Sequence, residues 1–170
     1  MNGIEEILDQ FDNTSAAWNS YKGRKLIADA EQEWIAKINW KSLITLTFKD
    51  EIPEDIAKKR FRKLIQILNK ETFGNHYTRI VGHSYFSYVL GTELQSRGVI
   101  HFHVLVNKPV DFQLIHDHWS RSGFSWIDKV EDLEKAIRYV TKYIVKGGQL
   151  DHYFAKGDFI PKEKPSWWIE

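Results

Sequence analysis

Two histidines stand two residues apart in an apolar run, Val99-Ile-His-Phe-His-Val-Leu-Val106. Side chains alternate along a strand, so His101 and His103 face one way while Phe102, Val104 and Val106 face a core. Two imidazoles held on one face by a rigid strand are a ready pair of metal ligands. The segment before them, Tyr85 to Glu93, reads as a strand and ends in Leu94-Gln-Ser-Arg-Gly98, a turn with a permissive glycine. A hairpin centred there sets Glu93 opposite or diagonal to His101 on the same face. It also sets Gly91 near His103, where a missing side chain leaves the face open. One carboxylate and two imidazoles with open positions suit Mn²⁺ or Mg²⁺, completed by water and a phosphate oxygen; Zn²⁺ also accepts such donors. The competing reading is a solvated sheet face that carries two unrelated histidines.

Downstream, Tyr139-Val-Thr-Lys142-Tyr143 supplies a nucleophile and a cation. In a helix from Glu131 to Lys146, Leu133, Ala136, Ile137, Val140 and Ile144 form the packed stripe. Tyr139, Lys142, Tyr143 and Lys146 then cluster on one flank. A phenol titrates at about 10 and attacks poorly at neutral pH. A neighbouring ammonium would stabilise the phenolate or the charge that grows on a phosphate. Tyr143 projects nearer the stripe than Tyr139 and is partly a packing residue.

These side chains need elements to hold them. A short helix is expected over residues 3–11, then a longer one capped at Asn13-Thr-Ser-Ala and running to Ile38, with Leu26, Ile27, Ala30, Trp34 and Ile38 at helical spacing. Lys41 to Phe48 alternates and is rich in β-formers, so it reads as the first strand. Pro53 opens a helix to Lys70 whose stripe is Ile56, Phe61, Leu64, Ile65 and Leu68. Tyr77 to Val81 reads as a short strand. Asp111 to Arg121 reads as a helix, Gly123 to Asp128 as a strand, and Gly147-Gly148 as the stop of the tyrosine helix. Residues 149–170 give no clear pattern. The order predicts an α+β domain built on one antiparallel sheet with helices on one face.

Composition narrows the function classes. The 170 residues contain no cysteine, which excludes disulfides and thiolate metal sites and suits a reducing cytoplasm. No apolar run is long enough to span a membrane, and the acidic start Met1-Asn-Gly-Ile-Glu-Glu lacks the basic and apolar stretches of a secretion signal. A net charge of +1 means that any nucleic-acid site concentrates its positive residues locally. Lys58, Lys59, Arg60, Arg62 and Lys63 form the densest basic run, either a phosphate grip or a solvated helix face. Seven Trp, seven Tyr and ten Phe leave rings to spare for stacking on bases. Thr45 and Thr47 share a sheet face; on the metal face they could bond a phosphate. His116-Asp-His118 falls in a helical segment, where residues two apart diverge, so no metal site is expected there.

Taken together, these residues resemble the HUH endonucleases, specifically the rolling-circle replication initiators (Rep proteins). His101-Phe-His103 is similar to their His-hydrophobe-His motif, and Tyr139-x-x-Lys142-Tyr143 to their tyrosine motif. Ser42 to Phe48 resembles their first motif, and Glu93 stands where many members place a third metal ligand. The resemblance implies a central five-stranded antiparallel sheet with flanking helices, akin to the RNA-recognition-motif topology. It implies nicking of single-stranded origin DNA by Tyr139 through a 5′-phosphotyrosine link, with Tyr143 a candidate second tyrosine. Glu93, His101 and His103 would hold Mn²⁺ or Mg²⁺; Thr45, Thr47, Lys58, Arg62 and Lys146 are weaker candidates for DNA contact. The chain then divides into a helical extension (1–39), the endonuclease domain (40–148) and a tail (149–170). No Gly-rich Lys-Ser/Thr phosphate loop is present, so a host helicase and polymerase are expected partners. A transposase of the same chemistry, or a non-catalytic single-strand binding module, are the alternatives.

Overall fold

The fold comes from a computed structural model that describes residues 19–79, 85–146, 148 and 150–153. Among these residues lie four α-helices and five strands. The helices are α1 (Tyr21–Ile35), α2 (Glu54–Phe73), α3 (Phe112–Trp119) and α4 (Leu133–Val145). The strands are β1 (Ser42–Phe48), β2 (Tyr88–Leu94), β3 (Ile100–Val106), β4 (Gly123–Lys129) and β5 (Leu150–Tyr153). The strands form a single sheet in the order β4-β1-β3-β2-β5, and every pairing is antiparallel. The expected α+β class with a central five-stranded antiparallel sheet is the observed one.

The helices cover both faces of that sheet, where the sequence suggested one. Ile44, Leu46, Phe48, Leu90, Phe102, Val104 and Val106 meet α2 and α3 through Ala57, Phe61, Leu64, Leu68, Ile115 and Trp119. On the other face Val89 and Leu105 meet α1 and α4 through Trp34, Ile35, Ala136, Ile137 and Val140. This two-sided burial is why β3 is nearly all apolar, whereas β1 alternates, with Ile44, Leu46 and Phe48 buried and Thr45 and Thr47 between them. The stripe on α2 differs from the expected one at its first member. Ala57 is buried and Ile56 exposed, because 57, 61, 64, 65 and 68 keep helical phase and 56 lies about 100° away. On α1, Ala28, Glu31 and Ile35 are buried, while Leu26 and Ile27 are only half-buried.

Two strand assignments change. Tyr77–Arg79 is a 3₁₀ turn, tied by Tyr77 N–H to the Gly74 carbonyl and Arg79 N–H to the His76 carbonyl. The fifth strand is β5, from the stretch that gave no pattern. Four residues at a sheet edge, three of them half-buried, carry no readable alternation. The helix expected over 3–11 and the cap at 13–16 lie outside the described residues. The helix α1 is capped by Ser20, whose Oγ accepts from Gly23 N–H at 3.1 Å.

Helix α4 is clasped from outside. Gln32 Nε2 donates to Thr141 Oγ1 at 2.9 Å, and Arg24 Nε donates to the Val145 carbonyl at 3.0 Å, satisfying a carbonyl of the last turn. His152 on β5 meets Glu31 on α1, Nε2 to Oε2 at 2.8 Å, and packs edge-on against Trp34.

Candidate metal centre and tyrosine helix

The β2–β3 hairpin sets the register of the site. Its turn closes through Gly98 N–H to the Gln95 carbonyl and Gln95 N–H to the Val99 carbonyl. Gly98 sits at φ +79°, a left-handed conformation that favours glycine. The register that follows pairs Glu93 with His101 and Gly91 with His103. Ligand atoms from Glu93, His101 and His103 all lie within 4.8 Å of one another, so the group could hold a metal ion.

Neighbours hold both imidazoles in place. His103 Nδ1 lies 3.4 Å from Thr45 Oγ1; His101 Nδ1 lies 3.4 Å from Thr47 Oγ1 and 3.3 Å from the Gln95 amide nitrogen. A ring that gives Nε2 to a metal keeps its proton on Nδ1 and donates it to such an oxygen, with the Gln95 amide turned to present its own oxygen. His101 Nε2 is buried and has no hydrogen-bond partner among the described residues, while His103 Nε2 lies 3.3 Å from Glu93 Oε2. A cation would satisfy the orphaned nitrogen, and the donor set fits a divalent one.

Electrostatics keep these donors in their metal-binding forms. Burial pushes His103 down to about 4, against the attraction of Glu93. Burial also lowers His101, helped by Arg97 and opposed by Glu93. For Glu93, partial burial raises the pKa, but hydrogen bonds from His103 and Lys146 outweigh it and hold the carboxyl below its ordinary range. Two neutral imidazoles and one carboxylate face each other at neutral pH.

Above them lies α4. Tyr143 is 1% exposed and stacks flat on His103 with ring centroids 4.8 Å apart, while Tyr139, 36% exposed, meets the same imidazole edge-on at 5.1 Å. Lys142 Nζ sits 3.7 Å above the Tyr139 ring and 4.9 Å from that of Tyr143. Burial foremost, then Tyr139 and Glu93, push the Tyr143 hydroxyl far above its ordinary value. Partial burial and Lys146 draw the Lys142 ammonium down, against Glu93. The space beside Gly91 is filled, contrary to the open face expected from its missing side chain. A Cβ there would meet Tyr143 Cδ2 at 3.1 Å, the Val140 carbonyl oxygen at 3.2 Å and Val140 Cγ1 at 3.3 Å. The glycine lets α4 press its backbone onto the sheet.

The profile of the replication-associated protein ORF2 family matches residues 41–148, a span that contains all of these side chains. The chain belongs to this family. Among solved structures, it is similar to the hypothetical protein ORF119 from Sulfolobus islandicus rod-shaped virus 1, with 24% identity over 69% of this chain and 90% of that one and a TM-score of 0.43. No curated protein matches it.

In this member of the replication-associated family the remaining candidates divide between two places. Thr45 and Thr47 pair with His103 and His101 and stand on the metal face. Lys146 Nζ reaches Glu93 Oε1 at 3.4 Å and helps line a cleft of about 510 Å³ with Thr92, Glu93, Leu94 and Tyr143. Lys58 and Arg62 ride on α2, across the sheet from the metal face. Lys58 is paired there with Glu54 at 2.8 Å and Asp151 at 2.9 Å, and Arg62 is exposed. Sequence reasoning passed over Gln95, which had no signal beyond its place in the turn. It also passed over Phe124 and Trp126, whose alternation along β4 was a usable one.

Proposed function

We propose that this chain is a metal-dependent endonuclease and strand transferase of the HUH type, which nicks single-stranded DNA at a replication origin to start rolling-circle replication. The observation that supports it most directly is the convergence of Glu93, His101 and His103 beneath an exposed tyrosine whose ring already touches His103. Membership of a replication-associated family supports the biological setting. A divalent ion, Mn²⁺ or Mg²⁺, held by the three ligands would supply Lewis acidity to a phosphate oxygen.

The protein's own groups account for the rest. The Tyr139 oxygen attacks phosphorus, the bond from phosphorus to the 3′ oxygen breaks, and a free 3′-hydroxyl leaves with a proton. The product is a 5′-phosphotyrosine, which a later 3′-hydroxyl can reverse, joining ends without a nucleotide cofactor. Lys142, above the Tyr139 ring, favours the phenolate and the charge on phosphate. Tyr139 is the nucleophile in preference to Tyr143, because Tyr143 is buried and burial disfavours its phenolate. The reading sets the reaction in the cytoplasm, with a host helicase to unwind and a host polymerase to extend.

The test is incubation with 3′-labelled single-stranded oligonucleotides from the parent replicon and Mn²⁺, followed by a denaturing gel. The expected result is a retarded protein–DNA band, lost with chelator and with Tyr139→Phe and kept with Tyr143→Phe. A band that survives Tyr139→Phe would overturn the assignment of the nucleophile. Binding without any covalent band would leave a single-strand binding module.

A further inference from the structure

Two large rings stand in water on the metal face. Phe124 is 78% exposed and Trp126 62%. Single exposed aromatics need no explanation, but these two alternate on one strand and share a face. Register places them in line with the site. One row across the sheet runs Glu93, His101, Thr47, Phe124; the next runs Gly91, His103, Thr45, Trp126. Each ring therefore lies two strand spacings, about 10 Å, from its histidine. Between them stand only threonines, whose hydroxyls could bond a phosphate. The Trp126 indole is pre-oriented by its Nε1 donating to Asp128 Oδ1 at 2.9 Å. Exposed basic residues flank both ends of β4, Lys49 and Arg121 at one and Lys41 and Lys129 at the other.

We infer that Phe124 and Trp126 are a stacking platform for the bases of the single strand that flank the scissile phosphate, so that the strand crosses the sheet from the metal centre to β4. The inference rests on the nucleic-acid reading above. An aromatic ring stacks on any base face, so the platform contributes affinity and position with little sequence preference. An unstacked, single-stranded substrate is what such a surface selects, since a paired duplex hides its base faces.

The test uses the full chain in chelator, so that no covalent product forms. A fluorescent single-stranded oligonucleotide is titrated by anisotropy against wild type, Phe124→Ala, Trp126→Ala and the aromatic replacements Phe124→Tyr and Trp126→Phe. Each alanine is expected to weaken binding about 5- to 150-fold, the range for one lost base stack, and each aromatic replacement to restore most of it. The slope of log affinity against log salt should stay at the wild-type value, because no phosphate contact is lost. With Mn²⁺, KM should rise in each alanine variant. Wild-type affinity in both alanine variants, or a change confined to sedimentation mass, would overturn the platform and mark the rings as a protein contact. A flattened salt slope would also overturn it. The two readings fail separately. Wild-type protein that binds through these rings but never nicks sinks the endonuclease alone; normal nicking with unaltered binding in the variants sinks the platform alone.

Discussion

Replacing Gly91 with alanine adds one methyl at the point where α4 meets the sheet. The new carbon would lie 3.1 to 3.3 Å from Tyr143 Cδ2, the Val140 carbonyl oxygen and Val140 Cγ1, against about 3.5 to 4.0 Å for ordinary contact. One of the three is backbone, so α4 has to retreat by several tenths of an ångström. It is resisted by Gln32 on Thr141 and Arg24 on the Val145 carbonyl. Overpacking of this kind costs about 1 to 3 kcal/mol, offset by about 0.5 to 1 kcal/mol from removing a glycine within a strand. A net loss of about 1 to 2 kcal/mol is expected in denaturant melts. The larger effect falls on chemistry. A misplacement of 1 Å costs about a hundredfold in rate, so a shift of several tenths should slow single-turnover nicking about tenfold. Metal affinity should change little, because all three ligands lie on the hairpin. Wild-type stability together with a wild-type rate would refute the claim that this glycine seats the tyrosine helix.

Three further outcomes follow from the same geometry. Mn²⁺ at a hundred times its Kd should raise unfolding free energy by about 2.7 kcal/mol, and His101→Ala should abolish that gain in a thermal melt. Thr47→Val removes the oxygen beside His101 Nδ1, and calorimetry should show Mn²⁺ affinity falling about 10- to 100-fold. In chelator, stability should fall with acid. His103 titrates at about 4 when folded and at about 6.5 when unfolded, so the unfolded chain takes up the proton first. Its contribution is full above pH 6.5 and is lost as pH falls through about 4, in total about 3 kcal/mol. Melts of His103→Gln should show a correspondingly flatter pH dependence, and an unchanged slope would contradict the assignment.

The hairpin was legible because its signals are local. A turn glycine between two β-rich segments puts Glu93 across from His101 before any tertiary contact is known. The threonine face of β1 was legible up to a choice of sides, which only the register with β3 settles. Gly91 was misread for a tertiary reason: the space its missing side chain leaves is filled by Tyr143 and Val140, which lie far along the chain and arrive with α4. The second layer of helices was hidden for the same reason, since a strand buried on both faces has no alternation to show which helix covers it. Ile56 is the more apolar residue, but Ala57 is the one in helical phase with Phe61, Leu64 and Leu68. Four residues at an edge, Leu150 the one aliphatic among them, gave β5 no pattern at all.

The clasp on α4 separates descent from mechanics. The family match spans 41–148, yet the groups that grip the tyrosine helix from behind, Arg24 and Gln32, lie before it. The strand that closes the β2 edge, and the His152 that locks to Glu31, lie after it. A fragment cut at the family borders would keep Glu93, His101, His103 and Tyr139 but lose the contacts that seat α4 and close the β2 edge. The span that carries the family match and the span that holds the tyrosine helix against the sheet are different lengths of chain.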